Sequence, residues 1–291
     1  MRYILLLFFF TCFGYVAAQK SLYSQGTEEL GFISHLINSQ QYEEAIFHIS
    51  QLPVNDYSSI GLQDSMHFLK AWSYYCLKQL DSSAFYFQKV RESSSLYTSA
   101  LFFASSDFIF LRQIEKARTI LEKIPVKDSV DFQLRNLQYA GLSLLQHDYN
   151  SYSNYSKNFV RSHYSLSNEE IVLEDCNNSM RRHKDKSLFV AGALSAVIPG
   201  AGKFYAGKQG EGISSFLLVS FLAAITAENY IKAGPSNYKT ILFGSLFTVF
   251  YIGNIYGSVA SLKVSREEFY RKYENTVQLH IHIPLRTIYG R

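Results

Sequence analysis

Proline is nearly absent from residues 27–159, and no alternating run of Val, Ile or Thr marks a strand there. That pair of absences excludes a sheet and predicts an all-α fold for this stretch. Cysteine is equally scarce. Beyond Cys12, which lies in an apolar N-terminal run, only Cys76 and Cys176 occur, in different regions of the chain, so no disulfide framework staples the fold and two inert thiols are expected. No nucleophile, base and orienting residue can be assembled into a set, and the chain reads as a non-enzyme with no cofactor. His280 and His282 could begin a metal site, but no third ligand accompanies them. Charge of either sign is missing from three further stretches, residues 187–202, 212–227 and 240–262.

The first residues, MRYILLLFFFTCFGYVAAQK, join a basic start at Arg2 to an apolar core and to the small residues Ala17 and Ala18. This is the pattern of a secretory signal peptide over residues 1–18, and it implies an exported chain. The remaining charge is uneven. Residues 19–180 carry 13 basic and 18 acidic side chains, whereas residues 181–291 carry 14 and 6. Base gathered at the edges of apolar segments suits anionic lipid headgroups rather than nucleic acid.

Within residues 19–165 the apolar residues recur at helical spacing, and four short segments resemble one another: Gln41-Tyr42-Glu43-Glu44-Ala45, Leu80-Asp81-Ser82-Ser83-Ala84, Ile114-Glu115-Lys116-Ala117 and Tyr149-Asn150-Ser151-Tyr152. A period near 34 with two helices per unit is the tetratricopeptide spacing. Ala45, Ala84 and Ala117 would let the second helix of each unit approach the first, with Leu36, Tyr75 and Phe108 as partners nine residues upstream. Gln88 weakens the second unit, leaving Phe87 to continue its face, and Tyr152 replaces the small residue in the fourth. Pro53 and Pro125 close the first and third units. The stretch thus resembles the tetratricopeptide repeat family, which implies a curved helical scaffold able to bind a protein partner.

Residues 166–186 read as a polar linker helix ending in a basic collar, Arg181 to Lys186. The membrane domain follows over residues 187–262. A bilayer core of about 30 Å needs roughly 20 apolar residues in a helix, so the third apolar segment passes and the first two, at about 16, are borderline. Between the first two stands PGAGKFYAGKQGEG, whose Pro199, Gly200, Gly202, Gly207 and Gly212 force a reversal around Phe204 and Tyr205. The third carries Gly253, Asn254 and Gly257, with the glycines spaced for close helix packing and Asn254 able to hydrogen-bond across helices. Three crossings would place Lys263, Arg266, Arg271 and Lys272 opposite the collar. Two crossings, with the first segment re-entrant or lying in the interface, would leave both ends on one side.

Residues 263–291 form a basic tail in which Thr276 to Ile283 alternate strictly, predicting a short terminal β-strand with His280 and His282 on one face. Gly202 to Lys208 fits the first seven positions of a phosphate-binding loop, but Gln209 stands where Ser or Thr should hold Mg²⁺, and an apolar helical segment precedes it. Nucleotide binding is therefore not expected.

PGAGKFYAGKQGEGI followed by an apolar helix and by FYIGNIYGSVAS resembles the membrane region of a bacterial family of uncharacterised proteins, often joined to N-terminal tetratricopeptide repeats. It is also distantly similar to a small domain of two transmembrane helices with a Gly-rich turn. The resemblance implies a membrane protein of the bacterial cell envelope, the inner membrane before the outer, and brings no catalytic residues. The expected function is a membrane-anchored scaffold or adaptor that binds a protein partner through exported repeats. The alternative is a subunit of a membrane transport or protein-insertion complex.

Overall fold

The computed structural model describes residues 26–53, 60–126, 128–161 and 163–290, so the expected signal peptide lies outside the described residues. Every regular element among them is a helix: α1 (26–38), α2 (Tyr42–Gln51), α3 (Ile60–Cys76), α4 (Leu80–Phe87), α5 (Tyr97–Phe110), α6 (Ile114–Lys123), α7 (Ser129–Leu145), α8 (Tyr149–Ser156), α9 (Ser167–Arg182), α10 (Leu188–Val197), α11 (Ala201–Tyr205), α12 (Gln209–Ala233) and α13 (Tyr238–Tyr289). They form two compact units. The first comprises the chain up to Asn177 together with Val277–Arg291; the second is Asn178–Thr276.

In the first unit α1 to α8 form four helical pairs, and from α2 onward each helix packs on the next in sequence. One turn recurs in all four pairs. Gln40, Lys78, Arg112 and His147 each adopt the left-handed conformation, with φ of 60°, 59°, 60° and 59°. The following N–H then reaches back five residues, from Gln41 to Leu36, Gln79 to Tyr74, Gln113 to Phe108 and Asp148 to Ser143, at 2.8–2.9 Å. These are Schellman closures, which satisfy carbonyls left open at a helix end. A side chain in this conformation costs about 1–2 kcal/mol, so packing between the paired helices must offset it at every turn.

That packing is visible at the small residues. Ala45, Ala84 and Ala117 are fully buried, and Tyr152 is buried in the fourth pair, its ring edge-on to Phe159. The irregular second pair also resolves. Helix α4 stops at Phe87, which is fully buried between Phe68 and Phe103, while the Gln88 amide turns back onto the Ala84 carbonyl at 3.0 Å. Before Pro53 and Pro125, Leu52 and Ile124 are extended, the conformation a following proline demands.

The terminal strand expected at Thr276–Ile283 is overturned: these residues belong to α13, which runs for 52 residues and carries Pro284 inside it. Alternation misled because two helical faces coincide with it. Val277, Ile281 and Leu285 form one stripe at i, i+4 and i+8 and are buried, whereas Leu279 is half exposed on another side. The helix expected within residues 166–186 is present as α9, over Ser167–Arg182. In α9, Glu169, Glu170, Leu173 and Cys176 are buried in the first unit.

In the second unit α12 and α13 are each long and apolar enough to cross a membrane, by length and composition, and α10 is a shorter apolar helix. Only 17% of the most apolar window of α12 and 11% of that of α13 is buried, which argues against the core helices of a soluble bundle. Phe216, Leu217, Phe221, Leu242, Val249 and Ile252 are all exposed, an apolar surface of the kind that marks a membrane or protein contact.

Candidate functional site

Two places concentrate the unusual chemistry, one in each unit. In the first unit, residues 277–289 lie on a face built from α3, α5, α7 and α9. The stripe of Val277, Ile281 and Leu285 is shut away from solvent, and burying three such side chains contributes about 1.5–3 kcal/mol each. Close approach depends on Gly141 of α7, where a Cβ would stand 2.4 Å from Ile281 Cγ2. The Gln138 amide donates to the Ile281 carbonyl at 2.5 Å, and the Gln278 amide to the Ile109 carbonyl at 3.3 Å.

Polar side chains fix the register. His282 hydrogen-bonds through Nε2 to the Tyr75 hydroxyl at 2.5 Å and through Nδ1 to Ser106 Oγ at 3.0 Å. Both ring nitrogens are thus engaged, and burial, assisted by the charge of Arg286, pushes its pKa down to about 4. The imidazole is neutral at pH 7. His280 pairs instead with Glu169 of α9, and the Tyr289 hydroxyl donates to Asp131 of α7. The two histidines, expected on one strand face, therefore diverge to different partners. Among the described residues no group of three His, Cys, Asp or Glu side chains could hold a metal. Asp107, close behind Tyr75, is fully buried with neither carboxylate oxygen hydrogen-bonded, and burial lifts its pKa to about 8.

The second place is the glycine turn between α10 and α12. Gly200 is left-handed at φ 84°, and its N–H donates to Asn254 Oδ1 at 3.0 Å. The Asn254 amide donates to the Ser195 carbonyl at 3.2 Å, closing a clasp across the turn. Ser195 Oγ accepts from Gly202 N–H at 2.8 Å and shares a hydrogen bond with Ser258 Oγ at 2.6 Å; Ser258 also donates to the Asn254 carbonyl. The Tyr251 hydroxyl donates to the Ala196 carbonyl at 2.5 Å. Every member of this network sits in a chain stretch without charge, where unpaired polar groups would be costly.

The glycines make room for backbone. A Cβ on Gly200 would meet the Gly212 carbonyl oxygen at 2.2 Å, one on Gly202 the Ala191 carbonyl oxygen at 2.0 Å, and one on Gly212 the Phe204 ring at 2.7 Å. Gly207, at φ 84°, closes α11 with the same Schellman bond seen between the paired helices of the first unit, Lys208 N–H to the Lys203 carbonyl at 2.9 Å. The N–H groups a phosphate loop would present are spent on these internal bonds. Pro199 leads into the turn, and Tyr205 offers its carbonyl to Lys186 Nζ at 2.7 Å.

Lys186, Tyr205 and Lys208 thus stand together at one level with Arg266, which lies 3.1 Å from Asp185, and Glu268, which pairs with Lys208 at 2.9 Å. Helix α10 starts at this polar level and α11 ends at it. The excursion between them reaches Asn254, roughly 12 Å along α13 from Leu262 at 1.5 Å per residue.

Of the residues expected in this packing, Gly200, Gly202, Gly212 and Asn254 meet. Gly257 faces the Lys203 side chain, where an added Cβ would stand 3.5 Å from Cε, whereas a methyl on Gly253 would meet nothing within 4 Å and that residue takes no part. Sequence reasoning missed Ser195, Ser258 and Lys203, whose Nζ donates to Ser215 Oγ at 2.8 Å. Ser258, one helical turn beyond Asn254 in an apolar run, was a readable signal. No known protein family matches the chain, and no curated protein or solved structure is similar to it.

Proposed function

We propose that the chain is a non-enzymatic, membrane-anchored scaffold of the bacterial cell envelope, whose tetratricopeptide-like repeats bind a protein partner and whose second unit anchors it in the inner membrane. The observation that carries this reading is the repeat face that already holds an amphipathic helix, through Val277, Ile281 and Leu285 buried against α5 and α7. Recognition of a helix by an apolar groove with a few polar register contacts is a general mode of protein binding. The anchor consists of α12 and α13 as crossings, with α10 and α11 entering and leaving at one surface as a re-entrant hairpin. Its backbone groups at membrane depth are satisfied by Ser195, Asn254 and Ser258, as hydrocarbon requires.

A subunit of a membrane transport or protein-insertion assembly is the second reading. Half-buried Lys203 favours it, since a cation among apolar helices marks a working site more often than an anchor. Photo-crosslinking in native membranes separates the two. A photoreactive phenylalanine at Phe47, Phe85 or Phe132, all exposed on the repeats, should yield a discrete protein adduct. Adducts formed only from Phe221 or Ile252 on the apolar helices would replace the scaffold with the assembly subunit.

A further inference from the structure

Between the end of α3 and the C-terminal stretch of α13, within the first unit, lies a cavity of about 510 Å³ whose wall includes Tyr42, Tyr75, Phe110, His282, Lys78 and Arg286. That volume falls in the range of small-molecule sites, about 300–1,000 Å³. Tyr42, Tyr75 and Phe110 give it aromatic walls, Leu80 an aliphatic one and Cys76 a thiol. Phe110 packs edge-on to the His282 ring, with centroids 5.3 Å apart. The Arg286 guanidinium lies 5.8 Å from the Trp72 ring centroid and 5.9 Å from that of Tyr75, whose hydroxyl it also hydrogen-bonds.

The fixed charges here are of one sign. Lys78 and Arg286 are both cationic, and among the described residues no acidic side chain pairs with either. Asp107, whose charge reaches Tyr75, is held largely protonated at pH 7 by burial and so does not neutralise them. His282 adds no charge and has no free nitrogen, since Tyr75 and Ser106 occupy both. Inorganic phosphate or sulfate would satisfy the cations but leave the aromatic walls in water. A neutral apolar ligand would fill the walls but offer the two cations no counter-charge.

We propose that this cavity binds a small organic anion, one carboxylate on an aromatic body, its charge met by Lys78 and Arg286 and its body by the rings of Tyr42 and Phe110. This site is independent of the partner-binding reading, because it needs neither displacement of residues 277–289 nor a second protein.

The test uses full-length protein in phosphatidylcholine nanodiscs, with empty discs subtracted, titrated calorimetrically with 3-phenylpropionate and with 3-phenylpropionamide. The acid should bind saturably at one site, and the amide about tenfold or more weakly, as loss of a charge-assisted contact implies. Lys78→Gln, at an exposed side chain, should weaken acid binding severalfold without shifting Trp72 emission, and Arg286→Gln should weaken it further. Equal binding of acid and amide would overturn the proposal. So would unchanged acid binding by the Lys78→Gln, Arg286→Gln double variant, or no saturable binding of the acid at all.

Discussion

Asn254 Oδ1 accepts the Gly200 N–H at 3.0 Å across 54 residues of chain, so one side chain of the long helix holds the left-handed residue of the glycine turn. Asn254→Ala orphans that N–H and the Ser195 carbonyl together. An unsatisfied buried donor costs about 1–3 kcal/mol. The variant should lose helical circular dichroism at a lower temperature than wild type in the same detergent. Asn254→Asp keeps the acceptor and loses the donor, and should still melt below wild type because it also buries a carboxylate. Unchanged melting of both would remove the clasp from the account of this unit.

The glycines of the second unit are not equivalent. Gly202→Ala drives a methyl to 2.0 Å from the Ala191 carbonyl oxygen, a contact that only backbone movement relieves, while Gly253→Ala meets nothing within 4 Å. Overpacking of this kind costs about 1–3 kcal/mol or more. Gly253→Ala should be neutral or slightly stabilising, since alanine is the better helix former by about 1 kcal/mol. Chemical unfolding in mixed micelles should rank Gly202→Ala well below wild type and Gly253→Ala at or above it; the reverse order would place the close approach on the wrong glycine.

Gly141 serves the first unit in the same way, and its loss reads out differently. Gly141→Leu should expel Ile281 and free residues 277–289 without unfolding the helical pairs, because α7 keeps its other buried residues. Limited trypsin digestion is expected to cut after Arg286 in the variant much faster than in wild type, with the repeats intact. Equal protection would mean that the segment is held by contacts other than the Ile281 stripe.

These three sites mark how far the sequence could be read. The paired helices and the buried alanines were legible because small residues at helical spacing leave few alternatives, and the two prolines fixed where helices stop. The turn residues Gln40, Lys78, Arg112 and His147 were not, since their left-handed backbone is imposed by the paired helices and none is glycine. The 276–283 segment failed for a physical reason: alternation over eight residues suits a strand, and only the partner face on α7 selects the i, i+4, i+8 stripe of a helix. Gly253 was overread. A glycine pair spaced by four permits close packing but does not say which helix arrives, and here Lys203 arrives at Gly257 alone.

Two buried groups give the first unit opposing responses to pH. His282 in the unfolded chain takes up a proton near 6.5 but in the folded unit only near 4, so its contribution to stability is complete above 6.5 and is lost as pH falls from 6.5 to about 4. Asp107 runs the other way. Unfolded, it releases its proton near 3.8; folded, near 8, so its contribution is greatest below 3.8 and is lost as pH rises toward 8. The single tryptophan, Trp72, is buried in this unit and reports its melting. His282→Gln should be less stable than wild type at pH 7.5 and close that gap by pH 4.5. Asp107→Asn should gain on wild type steadily from pH 4.5 to 8. Parallel pH curves for wild type and either variant would exclude that residue as the source of the response.

On the proposed membrane-anchor reading, the composition of the first unit constrains how many times the chain would cross a bilayer. The described residues up to Asn177 and those from Val277 to Gly290 fold together, so on the membrane-anchor reading the chain would leave and re-enter on one side, with an even number of crossings between. Helices α12 and α13 would supply two, α12 being about 37 Å long against a core of about 30 Å, whereas the ten residues of α10 span only about 15 Å. In a chain with Cys12, Cys76 and Cys176 replaced by alanine, single cysteines at Lys184 and Lys272 should react with a membrane-impermeant maleimide from the same side, and one at Ser236 from the opposite side. Three crossings would instead put Lys184 and Lys272 on opposite sides, and that outcome would also mean that residues 277–289 cannot rest on the repeats of their own chain.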